Sequence, residues 1–335
     1  MIIENILQYV LLIVGFVLLI KGGDWFVDAA VSIAKRLKLP EVLIGATVVS
    51  IGTTLPEVMT SAMGAASGAG EIAYGNAIGS IICNTALIAA ITIAIKPGKV
   101  NRKALVFPVS FFFVAAAFYA ATAYTGGKFT RVTGIILLLG FVFYMAMNVL
   151  SMKKNPVSDE LNNIAESSNE DKNDGNLVKA IVMLVLGAGL IALGAYLLVE
   201  SATAIAGQLG IPESVIGLTV VAIGTSLPEF VTAITSLIKG HGSLSLGNVI
   251  GANIFNLVLV SGVAVTINPF SVPEKSLLFG QNASLVLDIP VMLTVMGLMT
   301  IPTVFRGKLS RWQGILLLGI YLAFMAIQFV FVRTV

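Results

Sequence analysis

The chain is 335 residues long, 57% hydrophobic and only 11% charged, where a soluble domain carries roughly 25% charged residues, so it could not cover itself in water. A single cysteine, Cys83, and a single histidine, His241, exclude an internal disulfide, a cysteine-based zinc site and clusters of histidine ligands. The net charge of +3 and the pI near 8.9 do not point to nucleic acid, because the lysines and arginines fall in short clusters between apolar runs, as membrane topology signals do.

In chain order, apolar stretches of spanning length are predicted at 5–34, 42–66, 72–95, 104–124 and 132–151, then at 177–206, 214–238, 245–267, 280–303 and 312–332. Ten spans with their loops use up the length, so any function lies inside the membrane part. The first stretch has Glu4 where a signal peptide has a basic segment, and no small-residue cleavage pattern follows, so it is read as a retained span. Asp24, Asp28 and Glu200 lie late in the first and sixth spans, where interfacial or helix-packing roles are expected. Trp25 and Trp312 read as interface anchors and His241 as a loop residue. Residues 152–176 are polar and acidic with nothing to form a core, which reads as a cytoplasmic linker. Their spacing fails as a calcium-binding EF-hand loop.

The chain repeats itself. LPEVLIGATVVSIGTTLPEVMT from Leu39 recurs as IPESVIGLTVVAIGTSLPEFVT from Ile211, at an offset of 172 residues, and from Pro40 to Met63 the copies share 14 of 24 residues without a gap. The same offset carries GNAIGSIICN (Gly75 to Asn84) onto GNVIGANIFN (Gly247 to Asn256). Residues 1–151 and 177–335 are therefore duplicate units of five spans, and an odd number forces the second copy to lie inverted. With the N-terminus outside, the cytoplasmic loops hold fifteen lysines and arginines and the outer loops four, Lys128, Arg131, Lys275 and Arg333. Both termini are expected outside and the central loop in the cytoplasm. The basic KRLK at Lys35 to Lys38 becomes GQLG at Gly207 to Gly210, as inversion requires. The Lys128 and Arg131 loop does not follow the pattern.

Carboxylates inside a bilayer cost roughly 2.5 to 3.5 kcal/mol each on insertion scales, so they seldom occur without a role. Glu57 and Glu229 are such residues at equivalent positions, each following a proline in an apolar span. Pro56 and Pro228 are expected to break their helices and release carbonyls near Gly52 and Gly224. Thr53 and Thr54 precede Glu57 by four and three residues, as Thr225 and Ser226 precede Glu229. In the next span of each half, Ser80 and Asn84 share a face, while Ala252 and Asn256 take the matching places. Gly75 and Gly79, like Gly247 and Gly251, form pairs that admit a neighbouring backbone. Asp288 has no acidic counterpart and stays unassigned. Only oxygen ligands are on offer, a set that suits calcium better than magnesium and could hold sodium in turn.

GTTLPE at Gly52 to Glu57, GTSLPE at Gly224 to Glu229 and the paired GNxIG elements resemble the calcium:cation antiporter superfamily, in its sodium/calcium exchanger branch. The resemblance implies an all-α polytopic membrane protein of ten transmembrane helices in two inverted five-helix repeats, with ion sites between the second, third, seventh and eighth. It makes Glu57 and Glu229 the central ligands, with Thr53, Thr54, Thr225, Ser226, Ser80, Asn84 and Asn256 around them and backbone carbonyls at Ser50 and Ala222. It also implies that the first and sixth helices slide against the other eight. Ala252 replaces a serine that many members have, which bears on the sodium sites, and Asn256 is an amide where potassium-dependent members carry an aspartate.

The expected activity is sodium-for-calcium antiport by a non-enzymatic monomer in the cytoplasmic membrane of a prokaryote. Calcium and sodium are its transported ions and the lipid bilayer its surroundings, with no cofactor and no nucleic-acid partner. The alternatives are a proton-coupled calcium exchanger on the same scaffold, disfavoured because that branch usually carries a GNxxE-type element, and a cation channel. An intramembrane hydrolase is poorer still, as no nucleophile and base pair is evident.

Overall fold

The computed structural model describes residues 2–37, 39, 41–154, 177–208, 224, 226–274 and 276–334. Among these, ten apolar helices follow in order. They are α1 (Ile2–Arg36), α2 (41–66), α3 (Gly70–Ile95), α4 (Arg102–Gly126), α5 (Arg131–Lys154), α6 (Leu177–Gln208), α7 (Leu227–Ile238), α8 (Gly242–Ile267), α9 (Ser284–Arg306) and α10 (Arg311–Val330). All but α7 are long and apolar enough to cross a bilayer. The first part of the predicted 214–238 span lies outside the described residues, as do 155–176 of the predicted linker. The linker's first residues, 152–154, continue α5. At 1.5 Å per residue α1 is about 50 Å long, well beyond the ~30 Å hydrocarbon core. Short strands sit between helices: β1 (Lys128–Phe129), β2 (Phe270–Ser271), β3 (Ser276–Leu278), β4 (Gln281–Asn282) and β5 (Val332–Thr334).

The 172-residue offset of the sequence is also an offset of local structure. A π-helical segment, one residue wider per turn than α-helix, begins at Asn84 in α3 and again at Asn256 in α8. The turn after α2 holds Gly68 at φ 82 and the turn after α7 holds Gly240 at φ 86, a conformation that only glycine adopts freely. The Ala69 amide donates to the Gly64 carbonyl at 2.8 Å, and the His241 amide to the Ser236 carbonyl at 2.7 Å.

The loops group at two ends. Antiparallel pairing of β1 with β2 joins the α4–α5 and α8–α9 loops, and β5 pairs with β3, so the C-terminal strand lies at that same end. At the other end Lys99 bridges to Lys308. There the α3–α4, α7–α8 and α9–α10 loops converge.

Two large apolar clusters and a third, small one make up the interior of the described residues. The larger of the two unites α2 to α5 with α7 to α10, around Phe112, Tyr119, Phe255 and Met296. The smaller joins α1 and α6 and reaches the start of α2. The α1–α6 contact is a glycine seam. A Cβ added at Gly15 would lie 2.9 Å from the Gly194 carbonyl oxygen, and one at Gly187 would lie 2.7 Å from the Phe26 amide nitrogen. Gly22 meets Ile191 likewise. Partner numbers rise on one helix as they fall on the other, so α1 and α6 run antiparallel, as inverted copies must. Backbones in such contact gain packing that lipid tails cannot supply.

Candidate ion-binding site

Glu57 and Glu229 lie in the middle of the eight-helix body, both 0% exposed. Ser50–Ala66 of α2 is continuous α-helix with Pro56 inside it, so the expected break at this proline is corrected. The departure comes one turn earlier, in the π-helical segment Gly45–Val49, where the Ala46 carbonyl accepts from the Tyr144 hydroxyl at 3.2 Å. Neighbouring groups and local widening of this kind let a membrane helix tolerate proline. Pro228 sits in the first turn of α7, where a missing N–H costs little.

Thr54 of α2 donates to Glu229 Oε1 across the repeat boundary at 3.4 Å. Both oxygens of Glu57, Oε2 of Glu229, the Ser226 hydroxyl and both side-chain polar atoms of Asn84 and Asn256 are buried without a hydrogen-bond partner among the described residues. Buried polar groups in proteins are nearly always paired, and an unpaired buried carboxylate costs several kcal/mol. Six of these orphaned atoms are oxygens, from five residues of both repeats, and they point to a ligand that accepts oxygen donors and carries positive charge. The asparagines stand where they can serve it: the π segment from Asn84 packs on α7, and that from Asn256 packs on α2.

Other expected ligands divide. Thr53 and Ser50 are buried, but their hydroxyls turn to α8. Thr53 Oγ1 is 3.3 Å from Asn248 Oδ1, and Ser50 Oγ donates to the Gly45 carbonyl at 2.7 Å with the Asn248 carbonyl 3.0 Å away. Ser80 is buried one turn before Asn84 and makes no hydrogen bond to either carboxylate among the described residues. Thr225 and Ala222 lie outside the described residues. Gly247 and Gly251 admit a backbone as expected: a side chain there would collide with Val42 and Ala46 of α2. Gly75 and Gly79 meet nothing within 4 Å, and the segment that would correspond to 42–46 of α2 lies outside the described residues.

Sequence reasoning missed Asn76 and Asn248, the asparagines of the two GNxIG elements. Asn76 Nδ2 donates to the Glu57 carbonyl at 3.1 Å and to Ser61 at 2.8 Å, fixing the backbone that carries the acid. Asn248 donates to Thr232 at 2.9 Å, one turn beyond Glu229, while accepting from α2. Their repetition at the common offset was the available signal. Asp24 and Asp28 have the packing role expected of them. They pair with Lys239 at 3.3 and 2.8 Å, tying α1 to the end of α7.

A helical membrane fold whose paired, inverted halves surround buried unpaired carboxylates is that of a secondary transporter for cations. Residues 7–150 and 179–330 match the family described as sodium/calcium exchanger protein, and the chain belongs to that family. It is similar to the sodium/calcium exchanger MaX1 of Methanosarcina acetivorans, 33% identical over 96% of this chain and 98% of that protein. The inner membrane protein YrbG of Escherichia coli is 31% identical over 97% of each chain. Solved structures of the sodium-calcium exchanger NCX_Mj, soaked with sodium and with or without strontium, superpose with a TM-score of 0.77 at 32% identity over 96% of this chain.

Proposed function

We propose that this protein is a secondary active antiporter that exchanges sodium for calcium by alternating access, with its ion sites at mid-membrane between the repeats. The observation that carries this reading is the set of orphaned oxygens around Glu57 and Glu229. Two carboxylates neutralise one calcium ion, and hydroxyl, amide and carbonyl oxygens complete the six to eight ligands that calcium takes. Glu57 and Glu229 are the central ligands, with Thr53, Thr54, Ser80, Asn84, Thr225, Ser226 and Asn256 around them and carbonyls from Ser50 and Ala222. Sodium takes the same oxygens after calcium leaves, so each ion expels the other. The names of MaX1 and NCX_Mj as sodium/calcium exchangers support the choice of ions.

Alternating access follows from the two apolar clusters. The α1–α6 pair coheres through its glycine seam and meets the eight-helix body over a separate, mostly aliphatic surface. Sliding of that pair exposes the acids to one side and then the other. The working unit is one chain, with residues 1–151 and 177–335 as its transmembrane repeats and 152–176 as a cytoplasmic linker. Both termini face outward in the cytoplasmic membrane of a prokaryote, an orientation that puts the Lys96–Lys103 and Arg306–Arg311 loops inside.

The test is calcium uptake by proteoliposomes of the purified protein. An outward sodium gradient drives accumulation, and a pH gradient without sodium does not. Uptake that follows the pH gradient alone identifies the proton-coupled exchanger instead, and unitary currents in a planar bilayer identify a channel.

A further inference from the structure

The two ends of an inverted repeat invite comparison residue by residue, and at one place they differ in kind. At the end that carries β1 and β2, Phe270 packs into a small nest of Ala65, Ala73 and Ala264. It lies so close to Gly70 that any side chain there would collide with its ring. At the opposite end the residue equivalent to Phe270 is Gly98, and the space is not filled. A Cβ at Gly98, or at Gly242, the equivalent of Gly70, would meet nothing within 4 Å. A cavity of about 200 Å³ remains, between the ends of α3, α7 and α8 and beneath the α3–α4 loop. Water occupies about 30 Å³ per molecule in the liquid, so the space holds a group of several heavy atoms.

The exchange of residues around the cavity has one direction. Ala73 becomes Ser245, Ala264 becomes Thr92, Glu71 becomes Ser243, Asn268 becomes Lys96 and Ser271 becomes Lys99. An acid and several neutral or apolar groups have given way to hydroxyls and ammonium groups, and no carboxylate lines the cavity. Ser245 is 3% exposed, and its hydroxyl has no hydrogen-bond partner among the described residues. Neither Lys96 nor Lys99 has an ion-pair partner among them. Gly242 and Ser243, the first residues of α8, line the same space, and the N-terminal end of a helix favours negative charge. Leu237, Leu246 and Val249 form an apolar floor.

We infer that the cavity beneath Gly98 is a binding site for a phosphate-ester anion, held by Lys96, Lys99, Ser245 and the first amides of α8. Its chemistry suits a phospholipid headgroup, whose glyceryl carbons lie on the apolar floor, and a soluble phosphate ester shares the anion.

Native mass spectrometry of the detergent-purified protein tests this, by titration with phosphatidylglycerol, phosphatidylcholine and soluble glycerol 3-phosphate. Phosphatidylglycerol binds with 1:1 stoichiometry and phosphatidylcholine does not compete. Gly98→Phe, which restores the plug, and the double variant Lys96→Gln/Lys99→Gln each weaken binding roughly tenfold, as loss of charge-assisted contacts requires. The pair Lys35→Gln/Arg36→Gln, basic residues away from the cavity, leaves it unchanged. Displacement of lipid by glycerol 3-phosphate at millimolar concentration assigns the site to the phosphate ester alone, and failure to displace assigns it to the lipid. Should Gly98→Phe not fold, the lysine pair and Ser245→Ala decide. Equal affinity in all cavity variants, or equal loss in the control pair, would overturn the proposal in favour of diffuse attraction to a basic surface.

Discussion

The two halves of the ion site come from duplicated sequence yet are held differently. Glu229 accepts from Thr54 of the other repeat, whereas Ser226, the equivalent of Thr54, makes no hydrogen bond to Glu57, which has no side-chain partner among the described residues. Asn248 links α8 to both α2 and α7; Asn76 bonds α2, and the residues equivalent to the α2 partners of Asn248, at 222 and 225, lie outside the described residues. Ser80 offers a hydroxyl where Ala252 offers none. What both halves share is a buried acid and a buried asparagine without partners, the groups a divalent cation needs. What differs is the neutral oxygen supply, on which a monovalent ion depends more. On the proposed reading, the shared groups govern calcium and the unshared ones tune sodium.

The strongest way to break this comparison is to neutralise one acid at a time. Glu57→Gln and Glu229→Gln each remove a charge from a site fully out of water, a loss of about 3 kcal/mol or more. Calcium affinity should fall more than about 100-fold in both, with folded protein recovered, since volume is conserved. Calcium flux into proteoliposomes reads the result, and near wild-type exchange by either variant would make that glutamate structural.

Next in size are the asparagines beside the acids. Asn248→Ala takes away the acceptor of the Thr53 hydroxyl, and Asn76→Ala takes away the donor to the Glu57 carbonyl and to Ser61, so each should cost roughly 1 to 3 kcal/mol for each buried group left unpaired. Thermal unfolding in detergent measures both; an unchanged melting temperature in either variant would show that the contacts of that asparagine are incidental.

Much of this arrangement was legible beforehand because duplication made it so. One membrane glutamate is ambiguous, whereas two at identical places in inverted copies are not, and Asn84 and Asn256 came with them. The π-helical segments were not legible, because widening a helix by one residue depends on what packs against it and leaves no mark in apolar periodicity. That also explains why Pro56 was expected to break α2. Asn76 and Asn248 stood in a recognised motif, but hydrogen bonds to a backbone carbonyl or across 195 positions of chain do not show in local spacing. The cavity at Gly98 was hidden because a glycine in a loop reads as a turn until its counterpart is seen to be a buried plug.

A smaller effect is expected at Ala252, which is fully buried opposite Ser80's place in the other repeat. Ala252→Ser should raise apparent sodium affinity a few-fold, on the order of one neutral hydrogen-bonding group, with little change for calcium. Sodium and calcium titrations of flux sharpen the comparison, and a shift of the calcium curve alone would remove position 252 from a sodium site.

The smallest concerns the clamp between α1 and α7. Partial burial disfavours the Lys239 ammonium, but Asp28 and Asp24 outweigh it and hold its pKa above the ordinary value of 10.5. Its contribution is thus fully present below that value and is lost only as pH rises through the higher folded one. The pair is partly exposed, so it is worth about 0 to 1 kcal/mol. Lys239→Gln should change exchange rates less than about fivefold and remove a modest salt dependence; a change of 100-fold would mean that the clamp controls access.

Equilibrium calcium binding to the purified protein, measured by calorimetry at a series of sodium concentrations, tests the central claim most directly. The account predicts that calcium binds in sodium-free buffer, that its apparent affinity falls steadily as sodium rises, and that Glu57→Gln/Glu229→Gln abolishes the binding heat. Calcium affinity indifferent to sodium, or retained in the double variant, would contradict a shared site at these two acids.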